Sequence, residues 1–536
     1  MLLRYRKYAL FAVLALPLAY LLLPLTSARW TLTVDAAALQ AKTALLAEPV
    51  TLPAKRPPNL VLILADDLGK YDLSLYGPAP VQTPHIDSIA RRGVRFPEAY
   101  VTSPICSPSR AALLTGRYQQ RFGHEHQPHE RYPRNRLEYL AFQYFFDTEE
   151  WIVADDKREY PRPADIRRQG LPPSEITLAE WLRKFGYRTG IFGKWHLGYH
   201  APSLPLQMGF DHHYGFYEAY SLYADPGDPQ IVNQRHDDFS DPYIWGKGRT
   251  GGAAIRVNDS IVDEAGYLTY RIAEEACRFI QEHEHEPFFL YVPFSAPHTP
   301  FQAPRELVDR FGQVADPNKQ TYYAMIAALD EAVGSIVGQL RKSGLDDNTL
   351  LVFLSDNGGA TYTKATSNAP LKGGKFTFFE GGINVPMAWQ WPDRLPPGGD
   401  YNQPVSALDL FPTFCAAAGI PLPPGREIDG IDLLPFLEGR RSGSPHEALY
   451  WRSGYLQAIR SGPWKMIVDS KGGGRVLYQL EEDPFERRNR WESDSTTVRR
   501  LQADLDRWQQ VLSPPAWPPV MDFRFADGDA PFYFPL

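Results

Sequence analysis

Four apolar runs, each closed by polar residues, constrain the fold of this chain most. Asn59-Leu60-Val61-Leu62-Ile63-Leu64 ends in Ala65-Asp66-Asp67, and Tyr187 to Phe192 ends in Gly193-Lys194-Trp195-His196. Pro287 to Phe294 runs out into Ser295-Ala296-Pro297-His298, and Thr349 to Leu354 into Ser355-Asp356-Asn357. Apolar runs of this length and continuity read as strands buried on both faces. Helical stretches separate them: Pro84 to Gly93, Thr177 to Phe185 with a Thr177/Glu180 capping box, Glu264 to His283, and Tyr322 to Leu340. Strand and helix in alternation predict an α/β fold, a large, mostly parallel mixed sheet sandwiched by helices. In such sheets ligands bind beyond the carboxyl ends of the strands. Asp66, Asp67, Lys194, His196, His298, Asp356 and Asn357 are therefore expected at one edge; taken alone, the aspartate pair reads equally as a helix N-cap.

With 536 residues and 43% hydrophobic composition the chain buries a large core and exceeds one average domain. The boundaries read as a signal peptide or membrane anchor at 1–28, a linker at 29–57, a main domain at 58–440, and a smaller α+β subdomain with a tail at 441–536. Short alternating segments between Ala448 and Leu480 predict a small antiparallel sheet, Val498 to Leu512 an amphipathic helix, and Phe523 to Leu536 a tail packed on the body. A net charge of −7 implies no broad basic surface, which argues against nucleic acid as a partner; an anionic ligand needs a few local cations. Cys106, Cys277 and Cys415 make no disulfide framework, with a 277–415 bridge the one pairing left open.

Arg4, Arg6 and Lys7 precede an apolar run from Tyr8 to Leu25, the pattern of an export signal. The small residues of Leu25-Thr26-Ser27-Ala28 favour cleavage, and membrane attachment through residues 8–25 is the alternative. Either way the bulk of the chain is expected outside the cytoplasm. The aromatic, proline-broken stretch from Arg117 to Leu171 is a candidate wall or lid, with His124, His126 and His129 read as surface residues.

In Cys106-Ser107-Pro108-Ser109-Arg110-Ala111-Ala112-Leu113-Leu114-Thr115-Gly116-Arg117, Ser107 is expected to cap a helix that Pro108 opens. Cys106 then sits where backbone N–H groups and the helix dipole favour negative charge, and Arg110 adds a cation. Asp66, Asp67, Asp356 and Asn357 offer only hard oxygen ligands, a set that suits Ca²⁺ or Mg²⁺ rather than zinc. The glycine-rich stretch from Leu371 to Pro386 either lets backbone approach a ligand closely or forms an ordinary hairpin.

Cys-x-Pro-x-Arg followed by Leu-Leu-Thr-Gly-Arg resembles the signature of the type I sulfatases, members of the alkaline phosphatase superfamily. The paired aspartates, Gly193-Lys194-Trp195-His196, Pro297-His298-Thr299-Pro300, Ser355-Asp356-Asn357-Gly358 and the Gly373-Gly374-Lys375 loop follow in that family's order. The resemblance runs from residue 58 to about 510 and implies an alkaline-phosphatase-like fold. It implies that Cys106 is converted to formylglycine by a formylglycine-generating enzyme, and that Asp66, Asp67, Asp356, Asn357 and the modified residue 106 hold one Ca²⁺. Arg110, Lys194, His196, His298 and Lys375 would surround the sulfate of a sulfated small molecule or carbohydrate. It departs at Asn384, where the family usually shows Arg, a position read as structural. The competing readings are a phosphodiesterase or phosphonate monoester hydrolase of the same superfamily, a non-catalytic binder of sulfated glycans, and a cysteine hydrolase built on Cys106.

Overall fold

The computed structural model describes residues 15–52, 55–154, 159–236, 238, 240–528 and 530–536. Its centre is a ten-stranded sheet: β1 (Asn59–Ala65), β2 (Val94–Arg95), β3 (Arg188–Lys194), β4 (His212–Phe216), β5 (Arg256–Val257), β6 (Ser260–Ile261), β7 (Phe288–Pro293), β8 (Thr349–Ser355), β9 (Met387–Gln390) and β10 (Gly399–Asp400). The spatial order is β10-β2-β9-β8-β1-β7-β3-β4-β5-β6. The five central strands, β8-β1-β7-β3-β4, are all parallel, and β9 and β5 join on either side in the antiparallel sense. This is the mixed, mostly parallel sheet expected from the four apolar runs.

Both faces are covered, and the side-chain alternation of β1 shows how. Leu60, Leu62 and Leu64 point into one hydrophobic cluster, Val61, Ile63 and Ala65 into the other, and all six are fully buried. Burying a Leu or Ile side chain is worth about 1.5–3 kcal/mol, so such a strand is stable only with a layer on each side. One layer contains α1 (Cys106–Thr115), α2 (Leu178–Lys184) and α5 (Leu410–Ala418); the other contains α3 (Leu268–Glu282) and α4 (Pro317–Lys342). Thr177 and Glu180 form the capping box of α2.

The register sets the strand ends level. Ala65 pairs with Ser355 and Leu64 with Pro293, so the residues after β1, β7 and β8 leave the sheet side by side. Lys194 closes β3 beside them, where Gly193, at φ +134°, lets the chain pass the β7 terminus; a Cβ there would stand 2.0 Å from the Pro293 carbonyl oxygen.

After residue 440, strands Ala448–Ser453, Leu456–Ser461, Trp464–Asp469 and Arg475–Gln479 form the small antiparallel sheet, and Leu501 and Leu505 of the helix Ser495–Gln509 pack on it. The tail forms a hairpin, Met521–Asp527 with Ala530–Pro535, that pairs with Trp151–Val153 of the long insertion. Within 29–57, read as a linker, Ala36–Ala47 is a helix capped by Asp35, and Lys42 reaches Glu180 at 2.6 Å. Of the export-signal reading at 1–28, residues 1–14 lie outside the described residues. Among the described residues no helix is long and apolar enough to cross a membrane. Leu25 and Ser27 donate backbone hydrogen bonds to the Arg134 and Tyr160 carbonyls. All three cysteines are free.

Candidate active site

Helix α1 begins two residues earlier than its sequence predicts. Cys106 itself is the first helical residue, Ile105 is the N-cap, and no side chain caps the end. Proline remains compatible because every N–H of the first turn lacks an intrahelical partner anyway. Freed from capping, the Ser107 hydroxyl meets His124 Nε2 at 2.7 Å. Gly116 ends the helix in the left-handed conformation. All ten residues of α1 are buried, which fixes Cys106 against the sheet edge.

There the four strand ends converge as expected. Cys106 Sγ lies 3.4 Å from Asp66 Oδ1 and 3.9 Å from Asp67 Oδ1. Lys194 Nζ contacts Asp66 Oδ2 at 2.6 Å, and Lys375 Nζ contacts Asp67 Oδ2 at 2.8 Å. His298 Nε2 is 3.5 Å from that same Asp67 oxygen, while its Nδ1 meets the Thr299 carbonyl at 2.7 Å. Arg110 binds Asp356 Oδ2 through Nε at 2.9 Å and Nη2 at 2.7 Å. Asp356 Oδ1 accepts the Asp67 N–H at 3.2 Å, and Asn357 Nδ2 donates to Asp67 Oδ1 at 2.8 Å. Asp67 and His196 both adopt positive φ, 60° and 57°, uncommon for non-glycine residues and here found at the site itself.

The electrostatics follow from three buried carboxylates and three buried cations. Burial alone would push the Asp67 carboxyl up, but Lys375, His298 and Lys194 outweigh it and hold it at about 2. Asp356 goes the other way, raised to about 6 by burial and by the neighbouring Asp66 charge. Burial and the charge of Lys375 push His298 down to about 3, and burial with Lys194 and Arg110 lowers His196 well below its ordinary value. Both histidines are therefore neutral near pH 7. Both ring nitrogens of His196 are buried without a hydrogen-bond partner.

Burial also drives the Cys106 thiol well above its ordinary value, despite Lys194 and Lys375 nearby. A thiol nucleophile needs the opposite shift, and its contacts here are carboxylates rather than a histidine base. The cysteine-hydrolase reading fails on that ground.

The donor set fits a hard divalent cation. Ligand atoms of Asp66, Asp67, Cys106 and His298 lie within 4.8 Å of one another. Asn357 Oδ1 is buried with no hydrogen-bond partner beside them, an orphaned acceptor of the kind a cation satisfies. The three carboxylates are already balanced by Arg110, Lys194 and Lys375. A divalent ion bound there would give the site the positive sign that an anionic ester requires.

The glycine-rich stretch meets neither expectation. Its glycines pack backbone on backbone: a Cβ on Gly381 would stand 2.5 Å from the Gly373 carbonyl oxygen, and one on Gly382 2.1 Å from that of Thr377. This packing presents Lys375 to Asp67. The surface assignment of His124, His126 and His129 is also corrected, since His124 and His126 are fully buried and His129 is partly buried in the cavity wall. The insertion does form a wall, as expected. A cavity of about 390 Å³ opens above His196, His298 and Lys375, walled by Phe142 and Trp151 of the insertion and by Tyr220 and Tyr243 of the 200–265 excursion. Met521 and, at the end of the tail read as packing on the body, Leu536 complete it. Their signal was invisible in the chain because strand pairing with Trp151–Val153 alone carries them there.

Comparison with known proteins agrees with this geometry. The family model described as Sulfatase matches residues 58–420, and the one described as N-sulphoglucosamine sulphohydrolase, C-terminal, matches residues 374–511. The chain is 34% identical to N-acetylgalactosamine-6-sulfatase of Sus scrofa, over 77% of this chain and 72% of that protein. It is 32% identical to steryl-sulfatase of Mus musculus, over 80% and 74%. The crystal structure of Ps i-CgsB superposes with a TM-score of 0.72 at 32% identity, covering 86% of this chain and 95% of that one. The phosphonate monoester hydrolase of Agrobacterium radiobacter shares the fold, with a TM-score of 0.55 at 21% identity. The chain belongs to the sulfatase family, within the alkaline phosphatase superfamily. It is a sulfuric ester hydrolase.

Proposed function

We propose that this sulfatase releases inorganic sulfate from sulfated carbohydrates, with residue 106 working as formylglycine and Ca²⁺ held by Asp66, Asp67, Asp356, Asn357 and that modified residue. The observation that carries this reading is the convergence of four strand ends on Cys106. Bound there, the cation would supply Lewis-acid polarisation of sulfuryl oxygen. Oxidation of Cys106 replaces a soft, protonated sulfur with hard oxygens matched to that ligand set.

The remaining steps belong to the side chains. Lys194, Lys375 and Arg110, already oriented by Asp66, Asp67 and Asp356, stabilise negative charge on the sulfuryl oxygens without reorganising. His298 donates its Nδ1 proton to the Thr299 carbonyl and turns Nε2 toward the reacting centre; once Nε2 takes up a proton, stabilised by Asp67 at 3.5 Å, it delivers that proton to the departing alcohol, a contribution of roughly 10²- to 10⁴-fold. Neutral His196, with both nitrogens unengaged, accepts the proton from residue 106 as sulfate leaves. The apolar run at 8–25 supports export, with the catalytic part outside the cytoplasm. The names of relatives, N-acetylgalactosamine-6-sulfatase among them, support the carbohydrate substrate.

The test is sulfate release from a panel of sulfated sugars by protein made with a formylglycine-generating enzyme, alongside aryl sulfate and aryl phosphate. Mass spectrometry should find residue 106 lighter than cysteine. Full activity with an unmodified Cys106 would overturn the mechanism, and preference for the phosphate ester would overturn the reaction. An inert protein that retains sulfated sugars would be the non-catalytic binder.

A further inference from the structure

The cavity above the sulfate-facing groups differs in chemistry from its floor. Its walls are aromatic, with Tyr199, Tyr220, Tyr243 and Phe142 among them, and its volume of about 390 Å³ is in the range of small-molecule sites. Tyr199 lies parallel to the His196 ring, 7° between planes and 6.3 Å between centroids, so the stacking surface begins at the reacting centre. Tyr220 and Tyr243 meet edge to face at 6.1 Å further out.

The charges of the wall are mostly negative. Beyond the catalytic floor the described lining residues include Glu130, Glu218 and Asp238 against a single cation, Arg131. Arg131 is itself 3.8 Å from Glu138. Lys247 stands behind the wall, bridging Glu130 and Glu218 at 2.5 Å each, so its charge is committed. An anionic group entering this space finds the exposed Arg131 as the one cation of the described wall, set against three carboxylates, a balance that selects against it. Hydroxyl groups find acceptors in those same carboxylates, and a ring's apolar face finds the tyrosines.

Building on the sulfatase reading, we infer that the cavity holds the alcohol part of the ester and that this part is an uncharged ring, bearing no second sulfate and no carboxylate. The enzyme then acts on singly sulfated neutral sugars or aryl alcohols rather than on densely anionic glycans.

Binding separates this inference from the catalytic one. The full chain carrying Cys106→Ala, in Ca²⁺, is titrated calorimetrically with galactose 6-sulfate, galactose 2,6-disulfate and 4-nitrophenyl sulfate, and sulfate release by the matured wild type is followed on the same esters. The expected result is at least about tenfold tighter binding of the monosulfated sugar than of the disulfated one. Glu218→Gln brings that ratio toward one. Glu130→Lys, at a more exposed position, does the same should Glu218→Gln fail to fold. Tyr243→Ala weakens both singly sulfated probes by about three- to tenfold through lost stacking. Preference between the monosulfated sugar and the aryl ester says which neutral ring is favoured, and either order supports the inference. Equal or tighter binding of the disulfate, a ratio unmoved by both acidic-residue variants, or no binding of any probe overturns it. If the binding order holds while the wild type releases no sulfate, the inference stands and the catalytic proposal falls.

Discussion

Lys194 Nζ stands 2.6 Å from Asp66 Oδ2 with both side chains fully buried, joining the ends of strands β3 and β1 across the intervening β7. Removing one partner of a buried pair leaves a charge in low dielectric, which typically costs 3–5 kcal/mol. Asp66 is also a proposed metal ligand, so the expected penalty of Lys194→Ala depends on the ion. Urea unfolding should show a loss of about 3 kcal/mol or more without Ca²⁺ and a smaller one with it. The turnover rate should fall by at least about a hundredfold in either case, since a charge-stabilising donor is gone. Equal destabilisation with and without Ca²⁺ would separate Asp66 from the metal.

Chelation tests the ligand set as a whole. A ligand bound only by the folded protein adds about 2.7 kcal/mol at a hundredfold excess over its dissociation constant. EDTA should therefore lower the melting temperature, and Ca²⁺ should restore it. Asn357→Ala, which deletes the orphaned buried oxygen together with the Nδ2 hydrogen bond to Asp67, should lower the metal-free melting temperature and, beyond that, reduce the Ca²⁺-dependent rise. A melting temperature indifferent to both EDTA and Ca²⁺ would contradict the site.

The buried histidines predict acid sensitivity. Burial pushes His124 and His126 down to about 3 and His129 to about 4. The folded chain keeps them neutral, whereas the unfolded chain protonates them below about pH 6.5. The unfolded state then binds more protons, so their stabilisation is complete above pH 6.5 and is lost as pH falls toward 4. Each contributes a slope of up to about 1.4 kcal/mol per pH unit, roughly 4 for the three together. Unfolding free energy measured from pH 7 to 5 in saturating Ca²⁺ should fall less steeply in His126→Gln than in the wild type, by up to about 1.4 kcal/mol per pH unit. An identical slope in His126→Gln and the wild type would refute the burial of that ring.

The parts of the fold legible in the sequence are those written in local periodicity. The runs at Asn59, Tyr187, Pro287 and Thr349 could only be doubly covered strands, and the parallel topology then placed Asp66, Lys194, His298 and Asp356 together. The α1 cap was misread because proline and serine suit any position of a first turn, and only tertiary packing shows that Ile105 precedes the helix. The burial of His126 and the cavity role of Leu536 depend on a tail that pairs with a strand about 370 positions earlier. No local pattern in either segment encodes that meeting.

The departure at Asn384 has a physical explanation that can be tested. Its Oδ1 accepts from Lys70 Nζ at 2.9 Å and its Nδ2 donates to Glu380 Oε2 at 2.9 Å. Lys70 also donates to the Pro97 carbonyl and lies over the Tyr76 ring, 4.9 Å from its centroid. Burial lowers its ammonium to about 8, against the opposing pull of Glu380. A cation is therefore already present where an arginine at 384 would place one. Asn384→Arg should bury a second positive charge beside Lys70 and destabilise the fold by about 3 kcal/mol or more. Lys70→Met alone should cost about 1–3 kcal/mol, because the Pro97 carbonyl and Asn384 Oδ1 lose their donor. The double variant should be more stable than Asn384→Arg by itself, with an interaction energy of about 0.5–3 kcal/mol in its favour. Urea denaturation of the four proteins completes the cycle; simple additivity would mean that Lys70 and residue 384 do not share one cationic place.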